Sequence, residues 1–180
     1  MKETDRKFKE ALAETSRVVK EQSRHYAGLS DSVGFFAEGM VKPSIIPLFD
    51  PRGIRLDTVT ARTEKHLNGD FMEIDLLGIG PKSVVLTEVK FKLETADVSE
   101  MLNDMQRFFT FFPIYSGLTL YGAVAGMSID PSVARFAYHK GLFVLGQTGE
   151  NIRILNDAKF VPQTFPRTRT RVTRKHRRKK

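Results

Sequence analysis

GDFMEIDLLGIGPKSVVLTEVKFKL, residues 69–93, consists of two apolar runs separated by a short turn. Residues 83–89 are nearly all β-branched or aliphatic, a composition typical of a strand buried on both faces. Residues 71–77 alternate only partly between apolar and polar side chains, which still predicts an adjacent strand. Glycine and proline within residues 78–81 predict the turn between the two. The stretch therefore predicts two neighbouring strands of a buried sheet.

These two strands also carry charged residues at the polar end of an otherwise apolar pair. A period of two places Glu88 and Lys90 on one face of the second strand, with Val89 in the opposite layer. Asp75 lies near the end of the preceding strand, so the hairpin can bring its carboxylate towards Glu88. Two acids and an amine are thereby predicted to meet at one place in the sheet.

A hard metal ion explains such a cluster, because Mg²⁺ binds oxygen ligands and usually takes one or two carboxylates with waters and a substrate phosphate. Asp75 and Glu88 can supply the carboxylates, and the Val89 carbonyl can add a third ligand. Lys90 can then hold an attacking water and offset charge that builds up on the phosphate. The cofactor expected from these residue types is Mg²⁺ or Mn²⁺.

The pattern Asp75, twelve residues, then Glu88-Val89-Lys90 resembles the PD-(D/E)XK nuclease superfamily, with Ile74 where Pro often precedes the Asp. The resemblance covers residues 29–155 and is closest to uncharacterised bacterial members with a coiled coil ahead of the nuclease core. It implies a restriction-endonuclease-like α/β core, a cytoplasmic bacterial location, and Mg²⁺-dependent hydrolysis of DNA, with endonuclease favoured over exonuclease. In that superfamily a helix before the hairpin commonly adds an acid, and Glu38 matches it by position.

Three of these four site residues also have a simpler interpretation. A lone Glu-x-Lys triplet is a weak signal, since Glu88 and Lys90 could neutralise each other at a sheet edge. Glu38 shares a helical face with apolar neighbours such as Val41 and Ile45, where an acid is costly unless it meets a cation or a metal. The alternative for Glu38 is an exposed side chain beside that face.

The remaining patterns predict an α/β fold with a mixed central β-sheet flanked by helices on both faces. The expected order is helix, three strands, helix, strand, helix and two strands. Residues 32–49 form the helix before the sheet, with a break at Pro43, and the first strand covers residues 54–60. We expect three regions: an N-terminal helix over residues 1–27, a nuclease-like domain over 28–160, and a basic disordered tail over 161–180.

The N-terminal helix contains a short heptad seam, which predicts a coiled coil and a homodimer. The seam residues, spaced alternately four and three apart, are Phe8, Leu12, Thr15, Val19, Gln22 and Tyr26. The alternative is an amphipathic helix that lies on its own domain. Gly28 is expected to end this helix, with Ser30 or Asp31 capping the next.

The net charge of +8 on 180 residues is concentrated at the C-terminus. Nine basic residues there have no acid among them: Arg167, Arg169, Arg171, Arg174, Lys175, Arg177, Arg178, Lys179 and Lys180. Without them, 20 basic residues stand against 21 acidic ones, a body of net charge −1. The tail is therefore predicted to bind nucleic-acid phosphates, of DNA first and of RNA as an alternative. A merely solubilising terminus is the simpler interpretation.

Composition excludes several other classes of protein. The chain has no Cys, so it has neither disulfides nor a thiolate metal site. No apolar run approaches the roughly 20 residues of a membrane span, so we expect a soluble intracellular protein. Two rivals to a nuclease stay open: a catalytically weak or inactive nuclease fold acting as a dimeric nucleic-acid-binding module, and a partner protein recruited through the coiled coil.

Overall fold

The computed structural model describes the backbone of residues 2–165, with side chains described for residues 15, 17–22 and 28–165. Its elements are α1 (Lys2–Val41), α2 (Ile45–Phe49), β1 (Thr58–Leu67), β2 (Asp70–Ile79), β3 (Ser83–Leu93), α3 (Thr95–Phe111), β4 (Thr119–Ile129), α4 (Pro131–His139), β5 (Phe143–Thr148) and β6 (Asn151–Ile154). The predicted order of elements is confirmed. The six strands form one sheet in chain order.

The sheet is mixed, as predicted. β1, β2 and β3 pair antiparallel, and so do β5 and β6. β3 and β4 pair parallel, as do β4 and β5, because α3 and α4 provide the crossover connections that parallel neighbours need. The α/β class with helices on both faces is therefore confirmed.

Two apolar layers cover the two faces of the sheet. On one face α1 and α2 contribute Ala37, Val41, Ile45 and Phe49. On the other face α3 and α4 contribute, among others, Met101, Met105, Phe108, Val133 and Ala137. β3 and β4 lie between these layers, and this position explains why their sequences are apolar on both sides.

The N-terminal helix does not end at Gly28, and the predicted cap at Ser30 or Asp31 is wrong. α1 runs without interruption from Lys2 to Val41, and Ser32 Oγ donates to the Gly28 carbonyl oxygen at 2.8 Å within it. A single glycine costs a helix only about 1 kcal/mol, so helix-forming residues on both sides carry the helix through. The predicted break at Pro43 is confirmed, since α1 gives way there to a 3-10 turn over Lys42–Ser44.

The first strand also begins later than predicted. Residues 54–57 precede β1, with Ile54 and Leu56 buried in the core and the Asp57 N–H donating to the Ile79 carbonyl at 2.8 Å. Ile54 and Leu56 pack in the same layer as α1 and α2, which explains their alternating pattern, and the ladder with β2 begins at Thr58. At the other end, residues 161–165, assigned above to the tail, still contact the sheet, where Phe165 bridges to Leu120.

Candidate active site

The sheet opens into a fork between β2 and β3. The two strands pair only between Leu76↔Thr87 and Ile79↔Val84. Beyond these pairs the first half of β2 pairs with β1 alone and the second half of β3 with β4 alone. Asp75 and Glu88 are the first residues past the last pair, so both lie where the strands separate. Asp75 thus lies in the middle of β2, and not near its end as predicted.

The carboxylate of Asp75 takes the place of the missing ladder bond. Its Oδ2 accepts the backbone N–H of Val89 at 2.7 Å. This contact holds the Asp75 side chain across the fork, and it fixes the orientation of the carboxylate relative to the Glu88–Lys90 segment.

The side-chain alternation of β1 and β2 breaks at the level of the fork. On β2, Ile74 and Leu77 pack in the same layer although three positions separate them. On β1, the hydroxyl oxygens of Thr60 and Thr63 are likewise 2.9 Å apart. Between these threonines, Arg62 has a left-handed backbone with φ of 50°, rare for a residue with a side chain. The two distortions lie opposite each other. The ladder between β1 and β2 pairs the residues on either side of Arg62 and Asp75, and these two residues face each other across the gap in it.

An open cavity of about 660 Å³ occupies the fork. The residues around it come from α1, β1, β2, β3 and α3: Ser30, Asp31, Val33, Gly34, Phe35, Glu38, Arg62, Glu73, Asp75, Glu88, Val89, Lys90, Phe91, Glu100 and Asp104. All four side chains predicted to be catalytic, and the predicted ligand Val89, are among them. The structure thus brings the predicted residues of three separate elements to one cavity.

The two carboxylates at the fork have perturbed acidity. Burial, and then the neighbouring Asp75 charge, raise the pKa of Glu88 to about 7 against the opposing effect of Lys90. Burial also raises the pKa of Asp75, although the Val89 N–H works in the opposite direction. Both acids are therefore held in a place that disfavours their negative charge, which is where a bound cation gains most.

Lys90 forms an ion pair with Glu88, Nζ to Oε1 at 2.5 Å. Burial by itself would lower the pKa of Lys90, but the hydrogen bond to Glu88 and the charges of Glu88 and Asp75 outweigh it and leave the pKa raised. The amine is accordingly a cation at neutral pH. The pair lies where β3 has lost its β2 neighbour and pairs with β4 alone, so the simpler interpretation, in which Glu88 and Lys90 neutralise each other at a sheet edge, stays open.

Glu38 meets a cation that the sequence did not reveal. The Arg62 guanidinium donates to both of its carboxylate oxygens, Nε to Oε2 at 3.1 Å and Nη2 to Oε1 at 2.9 Å. The guanidinium carbon also lies 3.4 Å from the centroid of the Phe35 ring. The expectation that a buried Glu38 needs a partner is thereby met, and its alternative of an exposed side chain is wrong. Arg62 itself lay beyond the predicted first strand.

The donor groups at the fork fit an open site for a hard cation. Among the described side chains of residues 15, 17–22 and 28–165, no three acidic, His or Cys groups converge as a ready-made metal cage. The available set is the carboxylates of Asp75 and Glu88 with the Val89 backbone carbonyl. Mg²⁺ commonly binds through one or two carboxylates and keeps several waters, so this set suits Mg²⁺ or Mn²⁺ in a cavity that leaves room for a phosphate.

Comparison with known proteins found no relative of this chain. The chain matches no family model, no curated protein and no solved structure. The nine basic residues predicted to bind nucleic acid, from Arg167 to Lys180, lie outside the described residues. Over residues 2–165, no helix combines the length and apolarity needed to cross a membrane.

Proposed function

We propose that this protein is a metal-dependent nuclease that hydrolyses phosphodiester bonds of DNA on a restriction-endonuclease-like core. The observation that carries the proposal is the fork, because it gathers Asp75, Glu88 and Lys90 around one cavity from two strands that have separated. The element order supports it as well: a helix, three antiparallel strands, a crossover helix and a parallel strand agree with the core that the PD-(D/E)XK resemblance implies.

In this proposal Asp75, Glu88 and the Val89 carbonyl would hold Mg²⁺ or Mn²⁺. When bound, the ion supplies positive charge that offsets the charge developing on the phosphoryl oxygens. Lys90 positions the attacking water and adds a second positive charge at the same place. Water then forms the new bond to phosphorus as the bond to the leaving sugar oxygen breaks. A proton lost by the water passes to that oxygen through solvent, so the products are a phosphate monoester end and a hydroxyl end.

Glu38 has a different role in this proposal from the one expected from sequence. Both of its carboxylate oxygens are engaged by Arg62. We therefore assign Glu38 to positioning Arg62 beside the cavity, in place of direct assistance through the metal or a bound water. Arg62 and Lys90 are the two cations among the described residues that line the cavity.

A second candidate function is a nucleic-acid-binding module that has kept the fold without the chemistry. Two ion pairs favour it. Arg62 neutralises Glu38 and Lys90 neutralises Glu88, so two of the predicted acids have a partner with no metal. Such a protein should hold nucleic acid equally well in EDTA and leave it uncut.

The experiment that tests the proposal measures cleavage of DNA by the full chain with Mg²⁺ or Mn²⁺, and again with EDTA. We expect cleavage that EDTA stops. Asp75→Ala and Lys90→Ala should each lower the rate on the order of 10² to 10³-fold. Lys92→Ala is the matched control, because Lys92 lies two residues further along the same strand, bonds Glu94 and does not line the cavity. Absence of cleavage of any nucleic acid would favour the binding module.

We also propose that the protein forms a homodimer through its N-terminal coiled coil. α1 is 40 residues long, and among its described side chains the first buried one is Ala37. The described side chains of residues 17–22 and 28–32 are exposed. The exposure of these described side chains supports pairing with a second copy, since helices gain most of their stability from packing.

A further inference from the structure

Two exposed aromatic rings border the cavity at the fork. Phe35, on α1, is 54% exposed and Phe91, on β3, is 51% exposed, and both line the cavity. One ring comes from the helix that packs on the sheet and the other from the strand that leaves the fork, and both border the same cavity.

Phe35 also contacts a cation. The Arg62 guanidinium lies over its ring while donating to Glu38, so a cation and an aromatic face are held together at the rim of the cavity. Phe36, the next residue on the helix, is 61% exposed but does not line the cavity. Phe35 and Phe36 are thus similar in chemistry and exposure and differ in their position relative to the site.

The cavity carries an excess of negative charge, so attraction to phosphates alone does not bind a nucleic acid there. Among the described residues that line it, seven are acids and two, Arg62 and Lys90, are cations. A surface of this sign gives little attraction to a polyanion, even with a metal bound. Affinity at the site must therefore come from contacts that do not depend on net charge, and stacking of bases on aromatic rings is such a contact.

We propose that Phe35 and Phe91 stack on unpaired nucleobases, so that the site takes a single-stranded segment of nucleic acid in preference to uninterrupted duplex. Bases inside a duplex already stack on their neighbours on both faces, whereas an unpaired base can present a face to a phenylalanine. The two cations then meet the backbone phosphates beside the stacked bases. The inference deepens the proposed function and rests on it for the nature of the ligand.

The test measures binding of fluorescein-labelled oligothymidylate, and of a labelled duplex of equal length, by fluorescence anisotropy. The full chain is used in EDTA, at a salt concentration that suppresses purely electrostatic binding. We expect wild-type protein to prefer the single strand. Phe35→Ala and Phe91→Ala should each weaken its binding on the order of tenfold, with little change for the duplex. Phe36→Ala should behave as wild type, and Phe91→Tyr should retain the preference.

Three outcomes would overturn the inference: equal losses for single strand and duplex, no loss for either variant, or a change of oligomeric state by light scattering. The last would assign the rings to contact with a second copy of the chain. Because EDTA prevents cleavage, this test is independent of catalysis. If the wild type cuts DNA but the two variants keep normal binding, the stacking inference fails and the nuclease proposal stands. If binding of the single strand depends on the rings but the wild type cuts no DNA, the stacking inference stands and the nuclease proposal fails.

Discussion

Arg62 joins β1 to α1 at the rim of the cavity by donating two hydrogen bonds to the carboxylate of Glu38, at 3.1 and 2.9 Å. The arginine backbone adopts a left-handed conformation to do so. Such a conformation costs on the order of 1 kcal/mol or more, and it persists only where surrounding contacts hold it. The bidentate pair and the Phe35 ring beneath the guanidinium are contacts of this kind around Arg62.

Removal of Arg62 should therefore destabilise the fold chiefly through the acid that it leaves behind. Arg62→Met leaves a buried Glu38 carboxylate without its cation. Breaking a fully buried ion pair is strongly destabilising, but the Arg62 side chain is 36% exposed, so we expect a clearly smaller loss. Adding Glu38→Gln to Arg62→Met should recover most of it in urea denaturation. Simple addition of the two single losses would contradict the pairing.

Glu88 should make the metal-free protein less stable as the pH rises from 4.5 to about 7. Its pKa is about 7 in the folded state against an ordinary 4.5, so the folded state holds a proton that the unfolded state has lost. The stabilisation is complete below pH 4.5, falls between 4.5 and 7, and totals about 3 kcal/mol. Thermal unfolding in EDTA across this range measures it. Glu88→Gln should flatten that dependence, and an unchanged profile in the variant would contradict it.

The basic tail should dominate non-specific affinity for DNA, because the rest of the chain has a net charge of −1. If about five of its nine charges engage phosphates, ending the chain at Phe165 should reduce the log–log salt slope by about four to five units. Any sequence preference should survive, since phosphate contacts carry no base information. Binding measured from low to moderate salt provides the test, and an unchanged affinity and slope would show that the tail plays no part.

The dimer should depend on the apolar seam of the N-terminal helix. Leu12→Asp places a charge in the predicted seam and should give a monomer by light scattering. Ala13→Asp introduces the same charge outside the seam and should leave the dimer intact. An unchanged oligomer after deletion of residues 1–27 would place the interface in the core instead.

The elements and three of the four candidate site residues at the cavity could be predicted because their signals are local. The apolar run of β3, the turn before it and the period of two place Asp75, Glu88 and Lys90 without knowledge of the rest of the fold. Arg62 could not be found this way. Its partner Glu38 lies 24 residues away on another element. The direction of the Arg62 side chain also depends on a break in strand alternation that composition does not encode.

The fork itself was likewise hidden from sequence reasoning. An apolar hairpin predicts continued pairing, and nothing in residues 70–75 signals that the ladder to β3 stops at Leu76. The exchange of a ladder bond for the bond between the Asp75 carboxylate and the Val89 N–H is a tertiary effect. The continuity of α1 through Gly28 was missed for a related reason, because a local breaker signal was outweighed by the residues on both sides.

Anomalous scattering from crystals soaked in Mn²⁺ tests most directly whether the fork is a metal site. The account predicts one strong peak between the carboxylates of Asp75 and Glu88 in the wild type, and its loss in crystals of Asp75→Asn grown and soaked in the same way. The absence of a peak at a well-ordered fork, or an undiminished peak in Asp75→Asn, would contradict it.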